Sequence, residues 1–155
     1  MSEKTLAMRF LEGQKVAYET ATYATTTRDA EEVASLVGAD PAQVFKTLVV
    51  DRPPQKPLLV LIPANQQLDL KKLAKVVGAK KLKMATQQVA EQLTGLQVGG
   101  ISPLALMNKG FKILGDRSLQ GHERVYLSSG QRGIQIKLAP ADLIRVTKMQ
   151  LADLV

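Results

Sequence analysis

Few side chains in this sequence are equipped for covalent chemistry. The chain has no cysteine, which removes disulfides, thiolate metal sites and a protein thiol nucleophile. Its one histidine, His122, lies in the polar stretch QGHER, where a surface loop is the expectation. A Ser-His-Asp triad would need that histidine, and no nucleophile-elbow pattern accompanies it. One histidine without cysteine also makes a poor zinc site, so no metal is expected. Neither GxGxxG nor a phosphate-binding P-loop is present. Asp29, Asp40, Asp69 and Asp142 stand at helix starts and read as caps or dipole partners. A lysine, hydroxyls and backbone amides are what remain for chemistry.

Lys46 is the most conspicuous of these. In QVFKTLVV (43–50) a long cation stands at the mouth of a run of strand formers. Its stem could lie on apolar surface with the head in water. It could equally be a cation held at a pocket mouth, orienting a carbonyl, a phosphate or a ribose. Thr47 follows it. VGGISPL (98–104) is a second feature. Gly99 and Gly100 allow positive φ and close backbone approach, and the loop through Ile101 and Ser102 could offer amides and carbonyls to a ligand or be a plain tight connection. In YLSSGQRGIQIKL (126–138), Ser128, Ser129 and Gly130 occupy a polar turn, either a ligand-facing strand end or a simple hairpin. Finally, Lys71, Lys72, Lys75, Lys80, Lys81 and Lys83 fall close together with no acidic residue between the first and the last. A solvated face usually mixes signs, so this field favours phosphate contact.

The elements that must position these residues alternate along the chain. A helix over 3–12, capped by Ser2 and stopped by Gly13, precedes a strand over 16–23. Asp29, with Glu32 in the capping-box position, opens a helix that Gly38 ends. Asp40 and Pro41 start a short helical turn. Strands follow at 46–51 and 58–62, joined by the proline-rich loop DRPPQKP. A helix over 68–78 is capped by Asp69 and ended by Gly78, with Lys71 and Lys75 on one face and Leu70, Leu73, Val76 and Val77 on the other. A short strand at 81–85, a helix capped by Thr86, strands near 111–114, 124–128 and 133–138, and a last helix from Pro140 complete the order. Several strand pairs are joined by short turns, which favours a mixed α+β sheet over a doubly wound parallel one.

Composition bounds the rest. A chain of 155 residues buries roughly 70% of its unfolded surface, enough for one self-sufficient core over 1–155. Lys and Arg outnumber Asp and Glu by 21 to 14, a net charge of +7. That suits a polyanionic partner such as nucleic acid, or simply a soluble surface. The charged, amphipathic N-terminus lacks the apolar centre of a signal peptide, and no stretch is long enough to span a membrane.

QVFKTLVV, QLDLKKLAKVVGAKK, VGGISPL and YLSSGQRGIQIKL, in that order and spacing, resemble the YbaK branch of the YbaK/ProX aminoacyl-tRNA editing domains over nearly the whole chain. The resemblance implies a mixed, mostly antiparallel barrel-like sheet surrounded by helices. It implies trans hydrolysis of Cys-tRNA(Pro), the error of prolyl-tRNA synthetase, in the cytoplasm, with tRNA and that synthetase as partners and without a cofactor. The family's essential lysine falls on Lys46 and its pocket tyrosine on Tyr23. Thr47, Gly99, Gly100, Ile101, Ser102, Ser128 and Gly130 fall on its substrate-binding positions. Lys71, Lys72, Lys75, Lys80 and Lys81 are the expected tRNA-phosphate contacts. In this branch the substrate's own thiol is thought to attack its ester, so neither a protein nucleophile nor a metal is required. Two departures stand out: 24–32 is shorter than in many members and lacks an aromatic, and Gln135 replaces an aspartate found in some, so no carboxylate role is assigned there. Deacylation of another misacylated tRNA such as Ala-tRNA(Pro), and a non-catalytic tRNA- or synthetase-binding module, remain as alternatives. A Ser-Lys hydrolase is a more remote one.

Overall fold

A computed structural model describes residues 4–24 and 29–155. Helix α1 (Leu6–Gly13) is capped by Thr5, whose side chain accepts from the Met8 N–H. The chain therefore turns helical later than Ser2, which lies outside the described residues. Strand β1 (Glu19–Thr22) is shorter than its sequence run. Helix α2 (Ala30–Leu36) starts at its expected cap, Asp29, and a 3-10 turn spans Pro41–Gln43. β2 (Phe45–Arg52) and β3 (Gln55–Pro63) form an antiparallel hairpin, so DRPPQKP belongs mostly to the strands and only Pro53 and Pro54 turn the chain.

Helix α3 (Leu70–Val77) runs between its expected cap and stop: the Asp69 side chain accepts from Lys71 and Lys72, and Gly78 is left-handed. β4 (Lys83–Met84) and α4 (Gln87–Thr94) follow. After two 3-10 turns come β5 (Lys112–Asp116), β6 (Val125–Ser128), β7 (Ile134–Leu138), α5 (Pro140–Thr147) and β8 (Gln150–Ala152). Asp142 lies in the first turn of α5 and pairs with Arg145. β8 had no sequence signal. It lies parallel to β5, and the buried Asp116 carboxylate accepts the Leu154 N–H at 2.9 Å to hold the chain beside it.

The α+β class and its mostly antiparallel pairing match the sequence expectation, with parallel pairs β3–β5 and β5–β8. The strands form two sheets, β4-β2-β3-β5-β8 and β1-β7-β6. The barrel-like wrap is left open, the two sheets joined among the described residues by one parallel bridge between Val44 and Tyr126. β3 is central and buried on both faces, which is why LLVLI is an unbroken apolar run. Leu59 and Leu61 face a core shared with α1, α5, β6 and β7, whereas Leu58, Val60 and Ile62 face a second core under α3. The small sheet turns Leu127 and Ile136 to the first core, while its opposite face meets Ala34 of α2 through Tyr126 and Ala21.

This double burial fixes the register of β2. Phe45 and Val49 point into the first core and Val50 into the second. A slip of one residue would exchange the two faces and expose Phe45, whose burial contributes about 1.5–3 kcal/mol. The positions of Lys46 and Thr47 are thereby set by their apolar neighbours.

Candidate active site

β4 pairs with β2 only at Val50 and Asp51. Beyond the Val44–Tyr126 bridge, the β2 edge as far as Leu48 borders a cavity of about 260 Å³ that Val44 also lines. Asp29, Ala30 and Val33 of α2 form one wall, Val98, Gly99 and Ile101 another, and Ser128 with Gln135 a third. Drug-sized ligands occupy pockets of roughly 300–1,000 Å³, so this volume suits a group of amino-acid size.

Lys46 stands at the rim, half-buried. Its Nζ donates to the Ala64 carbonyl at 3.2 Å. That bond fixes the ammonium and uses one of its three N–H groups. Among the described residues, three buried polar side-chain atoms lack a hydrogen-bond partner: Thr47 Oγ1, Gln135 Oε1 and the Tyr23 hydroxyl. Thr47 and Gln135 line the cavity. Buried polar atoms are nearly always paired, and leaving one unpaired costs about 1–3 kcal/mol. A concentration of such atoms around one cavity marks a place built for a polar ligand.

The sheet register gathers these groups. Gln135 pairs with Ser128 on one side and Ala21 on the other, so Ser128 and Gln135 share a face. Ser128 is buried, and its Oγ accepts the Gly130 N–H at 3.3 Å. The Tyr23 N–H donates to the Gly133 carbonyl at 2.9 Å, extending the β1 ladder. Strand alternation then returns the Tyr23 side chain to the Ala21 and Gln135 face, although Tyr23 is not in the cavity wall.

The glycines divide by task. Gly99 lines the cavity with φ +93°. Gly100 and Gly130 instead let loops pack closely. A Cβ on Gly100 would stand 3.0 Å from the Arg132 nitrogen, and one on Gly130, at φ +97°, 2.7 Å from the Ala105 Cβ. Arg132 ties the same loops by donating to the Val98 carbonyl at 2.7 Å. Ser102 is fully buried and accepts from the Leu104 N–H to cap a 3-10 turn, so its hydroxyl lies away from the cavity wall.

Sequence reasoning named Gln135 only as a departure with no role assigned, and it missed the second task of Asp29. Asp29 caps α2 through the Glu31 N–H and also lines the cavity. The alternation of GIQIKL was the available signal for Gln135, since it interrupts two isoleucines on a strand. His122 lies in a loop, as expected, but is half-buried: its ring meets Phe45 edge-on at 6.0 Å and backs that cavity residue. Lys71, Lys72, Lys75, Lys80 and Lys81 are exposed and lie outside the cavity, and the Lys72 Nζ donates to the Val155 oxygen at 2.6 Å. Ala24 adjoins residues outside the described set, and the wall sought in 24–32 is supplied by the start of α2.

Fold and site together define a small α+β scaffold with a lysine-rimmed cleft of amino-acid size. The chain belongs to the aminoacyl-tRNA editing domain family, whose profile matches residues 24–146. It is 39% identical over 154 residues to EbsC of Enterococcus faecalis, a candidate Cys-tRNA(Pro)/Cys-tRNA(Cys) deacylase, covering 98% of this chain and 93% of that one. The proline–tRNA ligase of Geobacter metallireducens is 30% identical over 112 residues, which span 71% of this chain and 19% of the ligase. The crystal structure of a candidate trans-editing enzyme for prolyl-tRNA synthetase superposes with a TM-score of 0.82 at 29% identity, covering 99% of this chain and 98% of that one. Among the described residues no helix is long and apolar enough to cross a membrane.

Proposed function

We propose that the protein is a trans-acting deacylase of Cys-tRNA(Pro), working beside prolyl-tRNA synthetase in the cytoplasm. The observation that carries this reading is the amino-acid-sized cavity lined by Lys46, Thr47 and Gln135, the last two with buried polar atoms that have no partner among the described residues. The match to EbsC, which runs along nearly all of that protein, supports action in trans. The partial match to a proline–tRNA ligase supports the synthetase context.

In this reading the chain supplies position rather than a nucleophile. The substrate cysteine Sγ attacks the carbonyl carbon of its own ester. The S–C bond forms, the C–O bond to the ribose breaks, and the thiol proton ends on the ribose oxygen. The products are cysteine thiolactone, which water then opens, and uncharged tRNA. Holding sulfur and carbonyl in the reactive geometry is a large part of what such a reaction needs. The two remaining N–H groups of Lys46 face the ester oxygens, where charge develops. Thr47 and Gln135 supply hydrogen bonds to the aminoacyl group, and Asp29 favours its ammonium.

A panel of purified aminoacyl-tRNAs tests this. Cys-tRNA(Pro) is the preferred substrate, thiolactone precedes free cysteine in a single turnover, and Ser-tRNA(Pro) reacts far more slowly. Serine and cysteine differ by one atom, so binding discriminates weakly and nucleophilicity dominates. Comparable rates on the serine and cysteine esters, a preference for Ala-tRNA(Pro), or a trapped seryl ester on Ser102, Ser128 or Ser129 would overturn the reading.

A further inference from the structure

The lysine field recognised along the sequence is one part of a larger surface assembled by the fold. At one end of the five-stranded sheet, Asp51 pairs with Lys83, Arg52 with Gln55, and Leu58 with Lys112. These pairs bring three separate chain segments to the same sheet end. The hairpin contributes Arg52 and Lys56, and Lys56 Nζ donates to the Lys109 carbonyl at 2.8 Å, fastening 109–112 beside it. Two clefts open there, each of about 500 Å³. One has Arg52, Lys81 and Lys83 around Pro53, Pro54 and Leu82. The other has Lys112 and Lys148 around Met107 and Phe111.

The charge is one-sided. In the segments 51–56, 79–83, 107–112 and 147–150 the sole acidic residue is Asp51. The lysines of this end are exposed. The ion pairs among the described residues all lie elsewhere: Lys4–Glu12, Arg117–Asp153, Lys137–Glu19 and Arg145–Asp142. Like charges brought together by four segments and left unpaired repel one another, and a polyanion relieves that cost. Helix α3 connects this end with the rest of the sheet: β3 runs away from the basic end to Pro63, and α3 returns to Gly78 just before Lys80. Lys71 and Lys75 are exposed on α3, which covers the face of the sheet that carries Leu58, Val60 and Ile62.

The geometry points to this end as a binding surface for the paired acceptor stem of the substrate tRNA, with Lys109, Lys112 and Lys148 as phosphate contacts that the sequence reading did not include. The inference rests on the deacylase reading. Lys46 and Arg52 lie six residues apart on β2, roughly 20 Å at strand spacing. An ester held at Lys46 on the unpaired 3′ end of a tRNA thus leaves the stem within reach of the basic end. Exposed lysines gathered at one sheet end suit a phosphate backbone, which needs charge and spacing rather than a closed pocket.

The test is the salt dependence of uncharged tRNA binding, which does not depend on ester hydrolysis. The triple variant Lys109→Gln, Lys112→Gln and Lys148→Gln should reduce the slope of log K against log salt by roughly 2–3, since each lost contact removes about 0.7–0.9. Arg117→Gln, at the opposite end of β5 and paired with Asp153, should keep the wild-type slope. An unchanged slope in the triple variant overturns the inference. So does a loss per charge in Arg117→Gln equal to that of the triple variant, which would mean diffuse attraction by net charge. If the wild type binds tRNA steeply and the triple variant loses slope while no aminoacyl ester is cleaved, the surface stands and the deacylase reading falls.

Discussion

Replacing Thr47 by valine separates a ligand-binding hydroxyl from a structural one. Valine has nearly the same shape and suits a strand at least as well. The change removes Thr47 Oγ1, a buried atom with no partner among the described residues. In the empty protein that atom costs about 1–3 kcal/mol, so the variant should be more stable by about 1 kcal/mol or more. At this chain length each kcal/mol raises Tm by about 2–4 °C. Activity should move the other way. A neutral hydrogen bond contributes about 0.5–1.5 kcal/mol, so kcat/KM for Cys-tRNA(Pro) should fall roughly two- to tenfold. Calorimetry and steady-state deacylation on the same preparation read both effects. A variant that loses stability would show that the hydroxyl has a protein partner. A more stable variant with unchanged kcat/KM would show that it touches no substrate. Either result refutes the assignment of the cavity's unpaired atoms to the substrate.

Two further substitutions probe the site and its scaffold. Lys46→Ala should lower kcat/KM by about 100-fold or more with an unchanged circular dichroism spectrum, the size expected for losing one preorganised donor at a developing charge. Lys46→Arg should also be impaired, because a planar fork does not replace a compact ammonium bonded to the Ala64 carbonyl. Near-wild-type turnover in folded Lys46→Ala would remove that residue from the mechanism. Gly130→Ala combines a left-handed φ with a contact of 2.7 Å to the Ala105 Cβ. It should destabilise by about 2–4 kcal/mol, seen as a fall of roughly 10 °C in Tm. A fall under about 2 °C would show that the loops yield easily.

What the sequence determined is what depends on near neighbours. Asp29, Asp40, Asp69 and Thr86 cap the helices expected of them, because a cap is a bond between residues two or three apart. The apolar runs at 46–51 and 58–62 marked two strands joined by a proline-rich turn, which is what β2 and β3 form. The absence of cysteine and the isolation of one histidine limited the chemistry before any coordinates were needed. Tertiary structure decided whatever depends on pairing between distant segments. Gln135 and Ser128 meet because β6 and β7 pair in one register, and Asp29 reaches the same cavity because α2 covers that face of the small sheet. β8 forms because Asp116 holds the Leu154 backbone across 38 positions of the chain. Lys109, Lys112 and Lys148 look unremarkable along the sequence and reach the same sheet end as Lys83 and Arg52 only once the sheet is assembled. Local bonds repeat at short spacing and leave a pattern in the sequence, whereas a sheet register or a shared surface is fixed by packing among residues whose spacing carries no period.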